Sequence, residues 1–111
     1  MFNAIVIMSI GMKSVRLDFY VIESLMRDLV GHDKKPSAFV VYLYLWSRLS
    51  LARSRKVQAS HQTIASDTGL SKSAVQLAVH HLLRRRLLRS ERASTTATPE
   101  YSLLKPWRRR H

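Results

Sequence analysis

A tight turn at Gly69 separates two short segments with helical patterning in the second half of the chain. Ala65 is followed four residues later by Gly69 and six residues after that by Val75. Two helices that cross closely need a small side chain at the crossing, a backbone turn that glycine permits, and a branched apolar side chain to lock the angle. The spacing therefore predicts two packed helices, whose shared core is completed by further apolar side chains: Ile64, Leu70, Ala78 and Leu82.

Serine residues mark the start of both predicted helices. Ser60 precedes a helix over about residues 61–67, and Ser71 precedes a longer helix over about residues 72–85. A serine hydroxyl in this position accepts a hydrogen bond from a backbone amide of the first turn, which otherwise has no partner. The serines therefore set the beginning of each helix.

Two earlier segments are also predicted to be helical. Residues 37–51 follow Pro36, which fits the first turn of a helix because its missing amide proton has no partner there. The aromatic and β-branched content would suit a strand, but the segment is long for one. Residues 17–30 form an amphipathic pattern ending before Gly31, although residues 15–19 could instead form a short strand. Its predicted apolar stripe comprises Val21, Ile22, Leu25, Met26 and Leu29.

Short extended segments complete the pattern. Residues 57–59 are a candidate strand, and residues 87–93 and 100–104 flank a Ser- and Thr-rich stretch that ends in Pro99. Such an arrangement is typical of a β-hairpin with a polar tip. The predicted fold class is mainly α with a small β wing, within the α+β class.

The charge of the chain points to a polyanionic partner. There are 19 Lys and Arg residues against 7 Asp and Glu, a net charge of +12. Residues 1–35 carry five basic and four acidic side chains (net +1), which leaves fourteen and three (net +11) for residues 36–111. A surface of this kind attracts nucleic acid. The excess charge therefore belongs to the segment that contains the predicted turn.

Other function classes find little support in the sequence. The chain has no cysteine, no Ser, His and Asp arrangement and no phosphate-binding glycine loop, so an enzyme is not expected. His80 and His81 point about 100° apart on a helix, so together with His61 they are not expected to bind a metal. No cofactor or small-molecule ligand is predicted. The apolar residues 2–10 are too short to span a bilayer and lack a preceding basic segment, which favours a cytoplasmic protein.

The run Gly69-Leu70-Ser71-Lys72-Ser73-Ala74-Val75 resembles the turn and recognition-helix start of bacterial winged helix-turn-helix regulators. The resemblance covers about residues 36–105. It implies an N-terminal extension with one amphipathic helix over 1–35, a DNA-binding domain over 36–105 and a basic tail over 106–111. The family often has glycine at the end of the recognition helix, where this chain has Arg86 before Leu87 and Leu88.

The resemblance places a recognition helix over residues 72–85 in the major groove of DNA. If Val75, Ala78, Val79 and Leu82 face the core, the other side of this helix is free to contact DNA. Ser73, Gln76 and Leu77 are expected to read bases. The remaining candidates for DNA contact on or next to this helix, mainly to phosphates, are Ser71, Lys72, His80, Arg84 and Arg85.

Arg89 and Arg92 are expected to alternate along the first wing strand and to point to the same side, toward the DNA backbone or minor groove. They could equally discourage strand pairing at a sheet edge. The arginines at 108–110 could contact phosphates or form a disordered basic tail.

These features predict sequence-specific binding of double-stranded DNA by a transcriptional regulator associated with the nucleoid. A DNA-binding component of plasmid or phage replication or partition is a second possibility, and a winged-helix protein-interaction module is a third. A homodimer formed through the apolar stripe of the N-terminal helix is also predicted. The alternative is that this stripe packs within its own chain against Val40, Leu43 and Tyr44.

Overall fold

Four helices and one three-stranded antiparallel sheet make up the part of the chain that the computed structural model describes, residues 13–108. The predicted α+β class is confirmed, with element ends shifted by a few residues. The apolar residues 2–10 and the last two arginines lie outside the described residues. The elements are an N-terminal helix made of Val21–Leu25 and Arg27–His32, α1 Pro36–Ala52, β1 Val57–Gln58, α2 His61–Thr68, α3 Lys72–Arg84, β2 Leu88–Glu91 and β3 Glu100–Leu103.

The two serine caps and the glycine turn form as predicted. The Ser60 hydroxyl accepts a hydrogen bond from the Thr63 amide at 3.0 Å, and the Ser71 hydroxyl accepts one from the Ala74 amide at 3.1 Å. Gly69 has a φ of 86°, in the left-handed region, and its amide donates to the Ala65 carbonyl at 2.9 Å. These local bonds end α2 and begin α3 within a few residues, and they fix the crossing of the two helices.

The turn that ends α3 is formed by Arg86 rather than by a glycine. Arg86 itself adopts the left-handed conformation, with a φ of 58°. Its amide donates to the Leu83 carbonyl, and the Leu87 amide donates to the Leu82 carbonyl at 2.9 Å. This conformation costs an arginine about 1 kcal/mol in free energy. Burial of Leu87 and Leu88 directly after the turn offsets this cost and leads the chain into β2.

The sheet has the order β1-β3-β2, with β3 in the centre. In the hairpin, Leu88 lies opposite Leu103 and Glu91 lies opposite Glu100. The two facing carboxylates would repel each other, and Lys56 Nζ reduces this repulsion by donating to Glu91 at 2.9 Å. The predicted hairpin is confirmed, with residues 92–99 as its tip.

The N-terminal helix is wider than an α-helix. The Met26 amide donates to the Val21 carbonyl, and the Asp33 amide donates to the Asp28 carbonyl at 2.8 Å, so both bonds span five residues. A π-helix of this kind has more residues per turn than an α-helix, and the buried positions of this one recur every four residues. The inner row consists of Val21, Leu25 and Leu29, all buried.

The predicted apolar stripe of this helix was wrong in its width. Ile22 and Met26 were expected to lie with the inner row, but their side chains are 45% and 39% exposed. The wider helix turns them away from α1. The inner row joins the same core as α1 and α3, so packing within the chain accounts for only part of the stripe.

Long-range hydrogen bonds join both ends of the described chain to α1 and to each other. Trp46 Nε1 donates to the Arg16 carbonyl at 2.9 Å, and Tyr42 donates to the Leu104 carbonyl at 3.0 Å. Trp107 stacks on Tyr20 with ring centroids 4.7 Å apart. The described residues before α1 and after β3 therefore pack on the central helix rather than extending away from it.

Asp18 holds the C-terminal end in place. Its carboxylate accepts hydrogen bonds from Trp107 Nε1 at 2.8 Å and from Arg108 Nε at 2.6 Å. The bond from Arg108 is the main cause that lowers the pKa of Asp18 to about 2; burial opposes it and Trp107 supports it. Arg108 was expected to contact phosphate or to be disordered; its pairing with Asp18 corrects the expectation of disorder for this residue, and its contact with phosphate stays a prediction. Within residues 13–108, no helix has the length and apolar character needed to cross a membrane.

Candidate nucleic-acid interface

Helix α3 has one buried side and one exposed side. Val75 and Leu82 are fully buried, and Ala78 and Val79 are nearly so, which fixes the rotation of the helix against α1 and α2. The opposite side is exposed, and the Leu77 side chain is 68% accessible to solvent. The exposed side chains of this face, called the α3 face below, are Lys72, Ser73, Gln76, Leu77, His80 and Arg84.

The α3 face carries positive charge that no carboxylate on the same helix neutralises. All seven acidic residues of the chain lie outside Lys72–Arg84. Four of them form ion pairs with Lys or Arg side chains that are not part of the α3 face: Asp18, Glu23, Asp33 and Glu91. A fifth, Asp67, accepts a hydrogen bond from Tyr44. The face therefore attracts anions, and its Gln, Ser and Leu side chains supply uncharged contacts between the charges.

Arg85 has a different environment from its neighbours on α3. Its Nε donates to Asp33 Oδ2 at 2.8 Å, and the Asp33 side chain is only 8% exposed. Arg85 was predicted to contact phosphate, whereas the structure places it on the loop that follows the N-terminal helix. Its side chain is still 40% exposed. Its clearest role is to attach the end of α3 to this loop.

His81 makes the second bond of this attachment, whereas the sequence considered it only as a metal ligand. The side chain is buried, and its Nε2 lies 2.8 Å from Asp33 Oδ2, while Nδ1 has no hydrogen-bond partner among the described residues. Burial by itself would raise the pKa of Asp33, but hydrogen bonds from His32, His81 and Arg85 hold it well below its usual range. His81 follows the inward-facing Ala78 by three residues, and this spacing was the signal that it lies on the inward side.

A cleft of about 260 Å³ lies between the N-terminal ends of α2 and α3 and the tip of the hairpin. Lys72 and Arg92 line it together with Ser60 and His61. Burial lowers the pKa of His61, and the nearby charges of Arg92 and Lys72 lower it further. The cleft thus combines two cations with the amide end of a helix, which suits a phosphate oxygen. The sequence considered His61 only as a metal ligand and did not place it here.

The two wing arginines do not share one side of the strand as predicted. Arg89 lies in β2 opposite Ser102, but β2 ends at Glu91 and Arg92 lies beyond it. Positions three apart on a strand face opposite sides in any case, because the side-chain period is two. Arg92 turns into the hairpin tip, where Nη1 lies 3.4 Å from the carbonyls of Thr95 and Ala97. It reaches the cleft as part of the tip, whereas Arg89 stays exposed on the strand.

Comparison of this sequence and structure with protein-family models, curated proteins and solved structures finds no significant match. No group of three His, Asp or Glu side chains within the described part of the chain is arranged to hold a metal ion. The function is therefore inferred from the geometry and charge of the α3 face and the adjacent cleft.

Proposed function

We propose that this chain binds double-stranded DNA as a winged helix-turn-helix protein, with α3 in the major groove. The observation that carries the proposal is the α3 face, a row of exposed cationic and polar side chains on a helix without a single carboxylate. An α-helix fits the major groove, and these side-chain types pair with base edges and phosphates there. Sequence-specific regulation of transcription is the function that best fits such a face.

The proposed contacts divide into two kinds. Gln76, Ser73 and Leu77 lie in the N-terminal part of α3, where recognition helices read bases. Ser71, Lys72, His80 and Arg84 flank them at positions suited to phosphates, with Arg85 partly committed to Asp33. At the hairpin, Arg92 and Lys72 would hold one phosphate in the cleft, and Arg89 would contact the backbone separately.

The first experiment measures affinity for a random-sequence duplex by fluorescence anisotropy over a range of salt concentrations. About six neutralised phosphates give an expected slope near −5 in log affinity against log salt. The matched control is Arg55→Ala, which removes a charge two residues before β1, near Leu103 and away from the hairpin tip, and is expected to leave the slope unchanged. A flat salt response, or no binding at low salt, would instead favour the protein-interaction module.

The second experiment separates base reading from positioning. A duplex selected from a random library and a random duplex are compared for two variants. Gln76→Ala is expected to lose about tenfold or more in affinity on the selected site and little on random DNA, because it removes a base contact. Arg89→Ala is expected to weaken both similarly. Equal losses on both duplexes for Gln76→Ala would remove the proposed reading face.

A role in plasmid or phage replication or partition uses the same contacts, so the α3 face supports it equally as a second candidate. The selected sites distinguish the two, because their positions relative to promoters or replication origins differ. Either role implies a cytoplasmic, nucleoid-associated protein.

A further inference from the structure

The outward side of the N-terminal helix carries two parallel rows of side chains that nothing in the described chain covers. The apolar row consists of Ile22, Met26 and Val30, each between 39% and 45% exposed. The outer row consists of Phe19, Glu23, Arg27 and Gly31, with the Phe19 side chain 76% exposed. Both rows follow the four-residue spacing of the buried positions on this wide helix. An aromatic ring and three aliphatic side chains exposed together indicate an interaction surface.

When the outer rows of two copies are placed antiparallel, each side chain of one row faces a complementary residue of the other. Glu23 and Arg27 lie at equal distances on either side of the level of Leu25, and so do Phe19 and Gly31. In an antiparallel pair with its two-fold axis at that level, Glu23 meets Arg27 of the other copy, and Phe19 meets Gly31. A two-fold axis requires this match, because each contact between the two copies occurs twice, once on either side of the axis.

Open space at Gly31 supports the second half of this match. A Cβ placed at Gly31 would have no atom within 4 Å, so the glycine is not required by packing inside the chain. In the antiparallel arrangement the missing side chain leaves room for a ring of Phe19. The loose ion pair of Glu23 and Arg27 within one copy, with 3.9 Å between the charged atoms, is easily exchanged for pairs between copies.

We propose that the outward side of the N-terminal helix binds a second copy of this chain in an antiparallel pair centred at Leu25. Only the biological purpose of the pair rests on the proposed function. Two copies would present two α3 faces to two half-sites of DNA. The attachment of α3 to the loop after the N-terminal helix, through Asp33, His81 and Arg85, would hold each α3 face at a fixed position relative to the pairing surface.

The test measures molecular mass by sedimentation equilibrium on the full chain without DNA, so its failure is distinct from failure of DNA binding. The wild type is expected to be dimeric. Glu23→Arg and Arg27→Glu each place like charges opposite each other twice, and each is expected to raise the dissociation constant at least about tenfold. A mixture of the two variants is expected to form heterodimers, and the double exchange in one chain is expected to restore the homodimer.

Two further variants complete the test: one fills the open space at Gly31, and the other is a control on a distant surface. Gly31→Leu fills open space in the single copy and improves helix propensity, so circular dichroism is expected to show a folded protein that no longer pairs. Arg89→Glu reverses a charge on the distant hairpin and is expected to leave the mass unchanged. A wild type that is monomeric up to about 100 μM overturns the proposal, since specific dimers bind more tightly than this. A dimeric wild type whose two charge variants fail to form heterodimers places the contact elsewhere and also overturns it.

Discussion

The outward sides of α3 and of the N-terminal helix differ in charge and in composition, although both belong to helices that pack on α1. The α3 face has cations without carboxylates, separated by small and amide side chains. The outward side of the N-terminal helix has one negative and one positive side chain, Glu23 and Arg27, next to a row of apolar residues. A surface with one sign of charge repels its own copy and attracts a polyanion. A surface with both signs and apolar area is suited to its own copy.

The difference shows that net charge alone is a poor guide to where a partner binds. The total of +12 describes the whole chain, but four of the cations are paired with carboxylates, and none of these four belongs to the α3 face. What distinguishes the α3 face is the absence of acidic neighbours along the helix. Reversing charges on the α3 face should therefore change the affinity for DNA, whereas reversing charges on the outward side of the N-terminal helix should change the molecular mass.

The largest expected effect comes from reversing the charge of the α3 face. Lys72→Glu combined with Arg84→Glu is expected to lower affinity for every duplex at least about a hundredfold and to reduce the salt slope by about 2, because two phosphate contacts become repulsive. The mass of the protein should not change. Arg27→Glu is the counterpart, expected to change the mass and to leave binding to a single half-site intact. If both variants altered both measurements, the two surfaces would not be independent.

A smaller effect is expected from truncating neighbouring side chains on the two sides of the N-terminal helix. Leu25 is 3% exposed and Met26 is 39% exposed. Leu25→Ala leaves a cavity and is expected to lower the free energy of unfolding by about 3 kcal/mol, whereas Met26→Ala is expected to cost less than about 1 kcal/mol. Urea unfolding at low protein concentration checks this. Similar losses for both would mean that Met26 is as buried as Leu25 in solution.

The smallest expected effect is a loss of folding stability at low pH. The pKa of Asp18 is lowered to about 2 in the folded protein, so its contribution is present above about pH 4 and is lost as the pH falls toward 2. This loss amounts to about 1 to 2 kcal/mol after allowance for solvent screening. Asp18→Asn is expected to flatten the dependence of the unfolding free energy on pH in this range. Asp28→Asn is the control, because within residues 13–108 Asp28 forms no ion pair. An unchanged slope for Asp18→Asn would contradict the assignment.

The sequence predicted the parts of the fold that depend on near neighbours. The caps at Ser60 and Ser71 and the turn at Gly69 involve bonds within four residues, and the buried side of α3 follows from its periodicity. These are enough to identify the exposed candidates on α3. Local patterns also gave the hairpin, although they placed Arg92 within the strand.

Contacts between distant residues were outside the reach of the sequence. The bond between His81 and Asp33 spans 48 residues and depends on how the N-terminal helix lies on α1. The position of His61 in the cleft depends on the hairpin tip. The width of the N-terminal helix was also missed, because an ordinary helical period was assumed when Ile22 and Met26 were placed in one apolar stripe with Val21, Leu25 and Leu29.

The bonds from Trp107 and Arg108 to Asp18 bring the beginning and the end of the described chain to the same place. That place adjoins Tyr20, which stacks on Trp107 and follows Phe19 of the outer row. The described fold therefore ends, at Arg108, beside the N-terminal helix. A substitution at Trp107 or Arg108 bears first on the proposed self-association and only secondarily on access to DNA.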